Sequence, residues 1–497
     1  MISLYHFSTH SATHPVDKFS GLGYTMMVII EFFMPIKLYN TMSRQIEEFK
    51  PIKKGRVGLY TCGPTVYNFA HIGNLRTYVF EDILKRVLKF NGLKVKHVMN
   101  ITDVGHLTSD ADEGDDKMEK GAIREGKTAW QIADFYTEAF RSDMQELNIE
   151  EPDIWCRATE YVKEQIGLIK KLEKKGFTYQ TLDGIYFDTT KLADYGKLAN
   201  LKKQDLRAGV RVGVGDKINP ADFALWKFSP PLVKRQMEWD SPWGIGFPGW
   251  HVECSAMATK HLGQPFDIHC GGIDHVPVHH TNEIAQSEAA EGTALANYWM
   301  HGEFLIIANG DKMAKSGDNF LTLQVLKNKS FGPLSYRYLL LQTHYRKQLM
   351  FSWDAVASAQ TGLERLVNAI AHIPTVVDGA QEKKFIEQFI SLINDDLNIP
   401  EALGLLWNAL NKKIIGQKTA FLIDEVLGLD LKRQIARLSE PKSDLPDSIK
   451  MLIAERDRAR ANKDWRLSDE LREKLETLGY NVKDTNDGAV VTSNFVS

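Results

Sequence analysis

The stretch VGLYTCGPTVYNFAHIGN, residues 57–74, determines how the fold begins. Val57–Cys62 is an apolar run of the length of a buried strand, and Gly63-Pro64 ends it. Apolar residues then recur at helical spacing, and Asn91-Gly92 ends that pattern; the recurring residues are Leu75, Val79, Ile83 and Val87. This part of the sequence predicts a strand that leads through a short loop into a helix.

A second apolar run, Val95–Ile101, completes a strand, helix and strand at the spacing of a parallel βαβ unit, whose site lies at the strand ends. Cys62 and Thr102 both stand at such ends. A second α/β half follows about a hundred residues later, with a helix over about 249–261, a strand Phe266–His269, a helix His279–Ala290 and a strand Phe304–Ile307. We therefore predict an α/β fold with a Rossmann-like parallel sheet that an insertion divides.

Composition excludes several classes of protein. The 497 residues contain 61 Lys+Arg against 64 Asp+Glu, a net charge of −3, so any contact with RNA must come from local patches. Four cysteines are too few for a disulfide scaffold and indicate a reducing compartment, by default the cytosol. No apolar run approaches the roughly 18 residues of a membrane span, so we expect no membrane partner.

Three motifs match known patterns in the wrong context. Residues 121–128, GAIREGKT, fit the P-loop, but the charged residues 115–120 precede them where a buried strand is required. Residues 244–249, GIGFPG, fit the dinucleotide fingerprint, but they follow Ser-Pro-Trp and contain a proline. In the acidic run 110–116, glycine falls at the fifth rather than the sixth position, so the EF-hand spacing fails.

Two further motifs suit phosphate chemistry. His71-Ile72-Gly73-Asn74 opens the first predicted helix, where backbone N–H groups and the helix dipole favour phosphate, and Gly73 allows close approach to the backbone. Lys312-Met313-Ala314-Lys315-Ser316 follows the last predicted strand and offers two ammonium groups and a hydroxyl to charge that develops on transferring phosphates. Together the two motifs resemble the two signatures of class I aminoacyl-tRNA synthetases.

Within that class, five segments resemble the cysteinyl-tRNA synthetase family, and the resemblance runs from about Met34 to Gly488. These segments are CGPTVY at 62–67, NITD at 100–103, DFALWK at 222–227, GWHVECSAM at 249–257 and HHTNEIAQ at 279–286. The resemblance implies ATP-dependent activation of L-cysteine to cysteinyl adenylate, with ATP and Mg²⁺ as substrate. It further implies transfer of the cysteinyl group to the 3′ end of tRNA(Cys) for protein synthesis.

Four residues form a plausible zinc set. His279 and Glu283 share a helix face at i and i+4, and Cys62 and Cys254 add thiolates. Alternatively, the two cysteines are small buried apolar residues and His279 is a hydrogen-bonded polar residue of the core. The family resemblance implies one Zn²⁺ per chain on these four residues. A substrate thiolate could enter its coordination shell, whereas serine's hydroxyl is a poorer ligand.

The resemblance also implies the other site residues. Gly63, Thr102 and Trp250 would line the cysteine pocket. ATP would contact His71, Gly73, Asn74, Lys312, Lys315 and Ser316, and the catalytic residues His71, Asn74, Lys312 and Lys315 would stabilise the phosphate electrostatically. Phe247 stands where the family more often has arginine. We expect this phenylalanine to remove a charge near the adenylate.

The expected domain boundaries follow the same resemblance. We exclude residues 1–33 from the fold as an N-terminal extension. Residues 34–145 and 246–320 are assigned to the two halves of the catalytic domain, and 146–245 to a connective insertion between them. After the catalytic domain we expect a stem-contact region at 321–352, a helical bundle at 353–440 and a small α+β anticodon-binding domain at 441–497. We expect a monomer. Two alternatives stay open. The first is a ligase that joins cysteine to an amino-sugar acceptor, against which the tail from Ser448 argues. The second is a non-catalytic RNA-binding protein, against which the intact site residues argue.

Overall fold

The structure is a computed structural model that describes residues 34–105, 116–200, 217–230, 235–307, 320–377, 379–439, 447–485 and 488–493. The predicted extension 1–33 and the Lys312–Ser316 motif lie outside these residues. In chain order the strands are β1 Lys37–Asn40, β2 Gln45–Glu48, β3 Arg56–Thr61, β4 Lys94–Ile101, β5 Ile154–Arg157, β6 Thr178–Gln180, β7 Gly184–Phe187, β8 Phe223–Phe228, β9 Gly246–Pro248, β10 Phe266–Gly272, β11 Ala296–Gly302, β12 Leu305–Ile307, β13 Leu349–Phe351, β14 Tyr480–Thr485 and β15 Gly488–Ser493.

The α-helices of the described residues, numbered in the same way, are α1 Ile72–Phe90, α2 Lys117–Glu125, α3 Ala129–Glu146, α4 Val162–Lys174, α5 Trp250–Leu262, α6 His279–Glu291, α7 Leu323–Asn328, α8 Pro333–Leu341, α9 Trp353–Ala371, α10 Ala380–Ile393, α11 Ile399–Asn411, α12 Gln417–Leu427, α13 Leu431–Ser439, α14 Asp447–Ala461 and α15 Trp465–Thr477. None of them is long and apolar enough to cross a membrane.

A five-stranded parallel sheet in the order β11-β10-β3-β4-β5 forms the centre of the catalytic region. The predicted β3-α1-β4 unit is present, and α1 buries its apolar residues, including Leu75, Val79 and Ile83. β10 pairs with β3, so the second half of the chain completes the sheet of the first half. This architecture confirms the predicted α/β class.

Three features of the sheet differ from expectation. β5 pairs with β4, so the central sheet extends past the boundary that we placed after residue 145. Ala296–Gly302 is a sheet strand that the sequence pattern did not indicate, because Asn297 and His301 interrupt its apolar run. The strand predicted at Phe304–Ile307 is shorter, Leu305–Ile307, and it pairs with β13 outside the central sheet. The other domain boundaries stay predictions.

The insertion contains its own antiparallel sheet, in the order β6-β7-β8-β9. Residues 121–128, which match the P-loop, end α2 and cap α3, so a helix rather than a strand directly precedes them. Residues 246–248 of the apparent dinucleotide motif form β9. Neither segment is the nucleotide-binding turn that its letters suggest, which agrees with the interpretation from context.

The described residues from 353 to 439 are largely helical, and α14 and α15 are followed by the hairpin β14–β15. A buried ion pair joins α8, which precedes this helical region, to α1: Nη2 of Arg337 lies 2.6 Å from Oδ2 of Asp82. Burial opposes ionisation of Asp82, but Arg337 and Arg86 lower the pKa of its carboxyl. The pair therefore fixes α8 against the helix that leads out of the catalytic loop.

Candidate active site

A cavity of about 230 Å³ opens where β3 and β4 end and α1 begins, the position at which parallel α/β sheets bind ligands. Seven of the residues proposed from the sequence line it: Cys62, Gly63, Asn74, Thr102, Trp250, Cys254 and His279. The fold thus gathers residues from both halves of the chain around one space.

Cys62, Cys254, His279 and Glu283 converge beside this cavity. One sulfur, nitrogen or oxygen atom from each lies within 4.8 Å of those of the others, and all four residues are buried. Nε2 of His279 is 3.1 Å from Oε1 of Glu283, and Sγ of Cys62 is 3.9 Å from the same oxygen. Two sulfurs, one imidazole and one carboxylate at this spacing suit a single tetrahedral Zn²⁺.

Two of the four groups lose their protons more readily than usual. A hydrogen bond with Cys62 lowers the pKa of Cys254 to about 7, although burial opposes that change. Burial likewise opposes ionisation of Glu283, but His269 and His279 lower the pKa of its carboxyl below the usual range. In contrast, burial and Cys254 raise the pKa of Cys62 well above its usual value, and, against the effect of burial, Glu283 raises the pKa of His279 to about 10. Metal ligands must be deprotonated, and Cys254 and Glu283 are already close to that state at neutral pH.

Further imidazoles hold three of the four groups in place. Nδ1 of His251 lies 3.0 Å from Nδ1 of His279, and Nε2 of His269 lies 3.1 Å from Oε2 of Glu283. Nε2 of His280 lies 3.3 Å from Sγ of Cys62. Such contacts leave Nε2 of His279 and Oε1 of Glu283 directed at the cluster, as hydrogen-bond partners of metal ligands generally do. The residues present therefore fit the expected ion.

Gly63 and Thr102 meet at the end of β4 through Asn100, which belongs to the NITD segment but was given no role from the sequence. The Gly63 N–H donates to Oδ1 of Asn100 at 2.8 Å, and Nδ2 of Asn100 donates to Oγ1 of Thr102 at 3.0 Å. A Cβ at Gly63 would lie 1.7 Å from the carbonyl oxygen of Asn100, so no larger residue fits there. Asn100 thus orients two proposed substrate contacts, and its place at a strand end was the available signal.

Trp250 and Glu253 belong to the first turn of α5. The Trp250 ring centre is 4.6 Å from that of His279, which places the indole directly beside the candidate metal ligands. The Thr102 hydroxyl donates to Oε2 of Glu253 at 3.2 Å. Burial, assisted by Asp103, raises the pKa of Glu253 well above its usual value. The hydrogen bond from Thr102 to Glu253 therefore links the end of β4 to α5, and Thr102 and Trp250 from these two elements line the same cavity.

His71 and Asn74 form the N-terminal cap of α1. Nδ1 of His71 accepts from the Asn74 N–H at 3.0 Å, and Oδ1 of Asn74 accepts from the His71 N–H at 3.3 Å. Because Nδ1 is an acceptor, the neutral ring carries its proton on Nε2. A Cβ at Gly73 would come within 3.0 Å of this ring, so a larger residue there would require the ring to shift.

Lys312, Lys315 and Ser316 lie outside the described residues, and their roles stay predictions. Asp274 and His275, on the short turn after β10, also line the cavity and were not proposed from the sequence. Nδ1 of His275 has no hydrogen-bond partner among the described residues, and the ring centre is 5.1 Å from that of His279. Their position after a parallel strand was the signal that could have found them.

Phe247 was expected to remove a charge, yet a guanidinium lies against it. Cζ of Arg235 is 3.5 Å from the centre of the Phe247 ring. Arg235 comes from the segment that precedes β9, so no motif at position 247 could have indicated it.

Comparisons with known proteins identify the domains of the chain and its relatives. Residues 48–361 match the class I (C) tRNA synthetase catalytic domain, and residues 442–491 match the cysteinyl-tRNA ligase anticodon-binding domain. A Burkholderia lata protein named cysteine–tRNA ligase 1 is 54% identical over 92% of this chain and 96% of its own. A Treponema denticola cysteine–tRNA ligase is 45% identical over 91% of this chain and 98% of its own.

Among solved structures, methionyl-tRNA synthetase of Mycobacterium tuberculosis bound by methionyl-adenylate aligns with a TM-score of 0.55 at 16% identity, over 78% of this chain and 95% of that one. This likeness concerns the fold alone. The two domain matches and the close relatives identify more than the fold. The chain belongs to the cysteine–tRNA ligase family of class I aminoacyl-tRNA synthetases.

Proposed function

We propose that this chain activates L-cysteine with ATP and attaches it to tRNA(Cys). The cysteine carboxylate attacks the α-phosphorus of ATP, the bond to pyrophosphate breaks, and cysteinyl adenylate forms. A hydroxyl of the terminal ribose of the tRNA then attacks the carbonyl carbon, and AMP leaves. The observation that carries the proposal is the convergence of Cys62, Cys254, His279 and Glu283 beside the cavity that Gly63, Thr102 and Trp250 line.

We propose that these four residues hold one Zn²⁺. When bound, the ion supplies a soft Lewis acid that prefers the thiolate of cysteine to the hydroxyl of serine. The chain itself supplies the lining of the pocket. Gly63 and Trp250 both line the cavity, and the glycine lets its backbone approach that of Asn100 closely, because a Cβ at Gly63 would overlap the Asn100 carbonyl.

Binding and stabilisation of the nucleotide would fall to the start of α1. Backbone N–H groups and the helix dipole favour phosphate there, and Asn74 lines the cavity. The proposed donor from His71 is Nε2–H, since Nδ1 is engaged by the Asn74 N–H. Lys312, Lys315 and Ser316 would hold the remaining charge on the phosphates as it develops.

The C-terminal region supports the tRNA as acceptor. Residues 442–491 match an anticodon-binding domain. A ligase that transfers cysteine to an amino sugar would not need such a domain. That ligase is the second candidate, because it requires the same activation chemistry. A purely RNA-binding protein would need neither the cavity nor the metal ligands.

The decisive experiment is attachment of labelled cysteine to a tRNA(Cys) transcript with ATP and Mg²⁺, with serine and a non-cognate tRNA as controls. Charging of the cysteine–tRNA(Cys) pair alone is the expected result. Cysteine-dependent ATP–pyrophosphate exchange without charging would favour the amino-sugar ligase, and absence of both would favour the RNA-binding protein.

Two accompanying measurements test the roles of individual residues. Metal analysis of the purified chain should find about one equivalent of zinc, as a single four-ligand site predicts. Lys315→Ala should reduce the rate of exchange far more than it reduces cysteine binding, because the lysine acts on the phosphates. Metal-free protein with full preference for cysteine over serine would contradict the zinc proposal, and equal losses in rate and binding would contradict the lysine role.

A further inference from the structure

Arg235 joins two segments that both line the cavity. Its side chain is only 8% exposed. Nη2 donates to the carbonyl oxygen of Gly105 at 2.7 Å, three residues after Thr102, and Cζ lies 3.5 Å from the ring centre of Phe247, three residues before Trp250. One buried guanidinium therefore contacts the backbone that continues from Thr102 and the strand that leads to Trp250.

Arg235, Asp116 and the backbone of Gly105 pack closely together. Nη2 of Arg235 also pairs with Oδ2 of Asp116, whose other oxygen caps α2 by accepting from the Met118 N–H at 2.7 Å. A Cβ at Gly105 would lie 2.2 Å from the Asp116 carboxylate. The carboxylate thus packs directly on the Gly105 backbone, and Arg235 holds both.

The backbone around Arg235 is fixed as well. The Gln236 N–H donates to Oε1 of Glu119 at 2.9 Å, and Oε1 of Gln236 accepts from the Ala129 N–H at 2.8 Å. On the other side, Trp239 and Gly246 exchange backbone hydrogen bonds of 2.7 and 3.0 Å. These contacts anchor Arg235 to α2 and α3 before it and to β9 after it.

We propose that Arg235 is a positioning residue for cysteine binding, which holds Thr102 and Trp250 at the separation that the substrate requires. The inference rests on the proposed function. Only arginine combines the necessary features, since a planar guanidinium stacks on a ring while its N–H groups bind a carboxylate and a carbonyl. Lysine would keep the charge and lose the stack.

Cysteine affinity, measured by calorimetry on the zinc-loaded protein without ATP, tests the proposal. Arg235→Met should weaken cysteine binding by about tenfold or more, because small displacements of binding groups have large effects. Arg235→Lys should fall between this variant and the wild type. Zinc content should stay at one equivalent, and the KM for ATP in pyrophosphate exchange should change less than twofold.

Arg141→Met is the matched control. Arg141 also lies over an aromatic ring, that of Trp155 at 5.8 Å, and near the carboxylate of Glu151 at 3.6 Å, but it does not line the cavity. Its removal should leave cysteine affinity unchanged. If Arg235→Met does not fold, Phe247→Leu keeps an apolar side chain at this buried position, removes the aromatic stacking surface and should still weaken cysteine binding measurably.

Unchanged cysteine affinity in the folded Arg235→Met variant overturns the proposal, as does unchanged affinity in Phe247→Leu when Arg235→Met is unfolded. An equal rise of the KM values for ATP and cysteine also overturns it, because that indicates a general loss of structure. Wild-type protein that binds cysteine without exchanging pyrophosphate contradicts the proposed function alone. Wild-type protein that does not bind cysteine contradicts both.

Discussion

His71 and Asn74 cap α1 reciprocally, each side chain accepting a hydrogen bond from the other residue's backbone N–H, at 3.0 and 3.3 Å. The residues that we propose for phosphate chemistry therefore also hold the first turn of the helix in place. Stability and activity should be linked at this position.

Asn74→Ala should lower the free energy of unfolding by about 1 kcal/mol, since it removes half of the cap, and should also slow pyrophosphate exchange. Urea unfolding and the exchange assay measure the two effects. Thr128→Ala is the control, because Thr128 and Gln131 form the same reciprocal cap on α3. That variant should lose similar stability with exchange unchanged; a loss of exchange in both would contradict a specific role for Asn74.

Gly63→Ala should abolish cysteine binding. The new methyl group would overlap the Asn100 carbonyl oxygen, which lies 1.7 Å from the Cβ position, so β3 and β4 must separate at the pocket. Calorimetry with cysteine measures the loss. Gly167→Ala, in α4 where a Cβ meets open space, should instead raise stability by up to about 1 kcal/mol. Normal cysteine affinity in Gly63→Ala would show that the pocket lies elsewhere.

Cys254→Ser should lose zinc and the preference for cysteine over serine. Removing a hydrogen-bond partner of a metal ligand already weakens metal binding by roughly 10- to 100-fold, so loss of a ligand should cost at least that much. Competition with a chelator measures the affinity. Cys156→Ser changes a buried cysteine outside the four-residue cluster and should keep one equivalent of zinc. Equal zinc affinity in both variants would contradict the ligand assignment.

His97→Gln should flatten the acid side of the stability profile. Burial, assisted by Lys85, lowers the pKa of His97 to about 3, whereas the unfolded chain has a histidine pKa of about 6.5. Below that value the unfolded state binds a proton that the folded state does not, so stability falls as pH decreases. The wild type should lose about 2 kcal/mol more than the variant between pH 7 and pH 5.

Urea unfolding at several pH values gives this comparison. Glutamine can keep the contact with the Thr61 hydroxyl, which lies 2.9 Å from Nε2 of His97, so the change isolates the titration from the hydrogen bond. Parallel stability profiles for the two proteins would mean that His97 is protonated in the folded state as well.

Sequence patterns predicted a helix or strand correctly where the full apolar period lies within that one element. Val57–Cys62 and the periodic residues of α1 predicted the first βαβ unit, because burial on a sheet and on a helix face leaves a readable period. The edge strand Ala296–Gly302 was missed because the polar residues Asn297 and His301 interrupt its apolar run. Pairing partners, such as β13 for β12, depend on contacts that no local pattern contains.

Some residues of the candidate site could likewise be predicted from local sequence, and others could not. Cys62, Cys254, His279 and Glu283 could be named from motifs, since each lies in a segment with its own signature. Asn100 orients its neighbours through a side chain whose partners are set by the sheet. Arg235 acts from outside every motif, and its contact with Phe247 arises only after the segment before β9 folds against Gly105.

The order of strands in the central sheet sets an order of assembly during synthesis. β3 lies between β4 and β10, and only β4 leaves the ribosome soon after it. Until residues 266–272 have been translated, one edge of β3 presents unpaired N–H and C=O groups, the kind of edge on which nascent chains aggregate. Cys62 is made first and Glu283 last among the four clustered groups, so the growing polypeptide cannot bring all four together before both halves of the sheet have emerged.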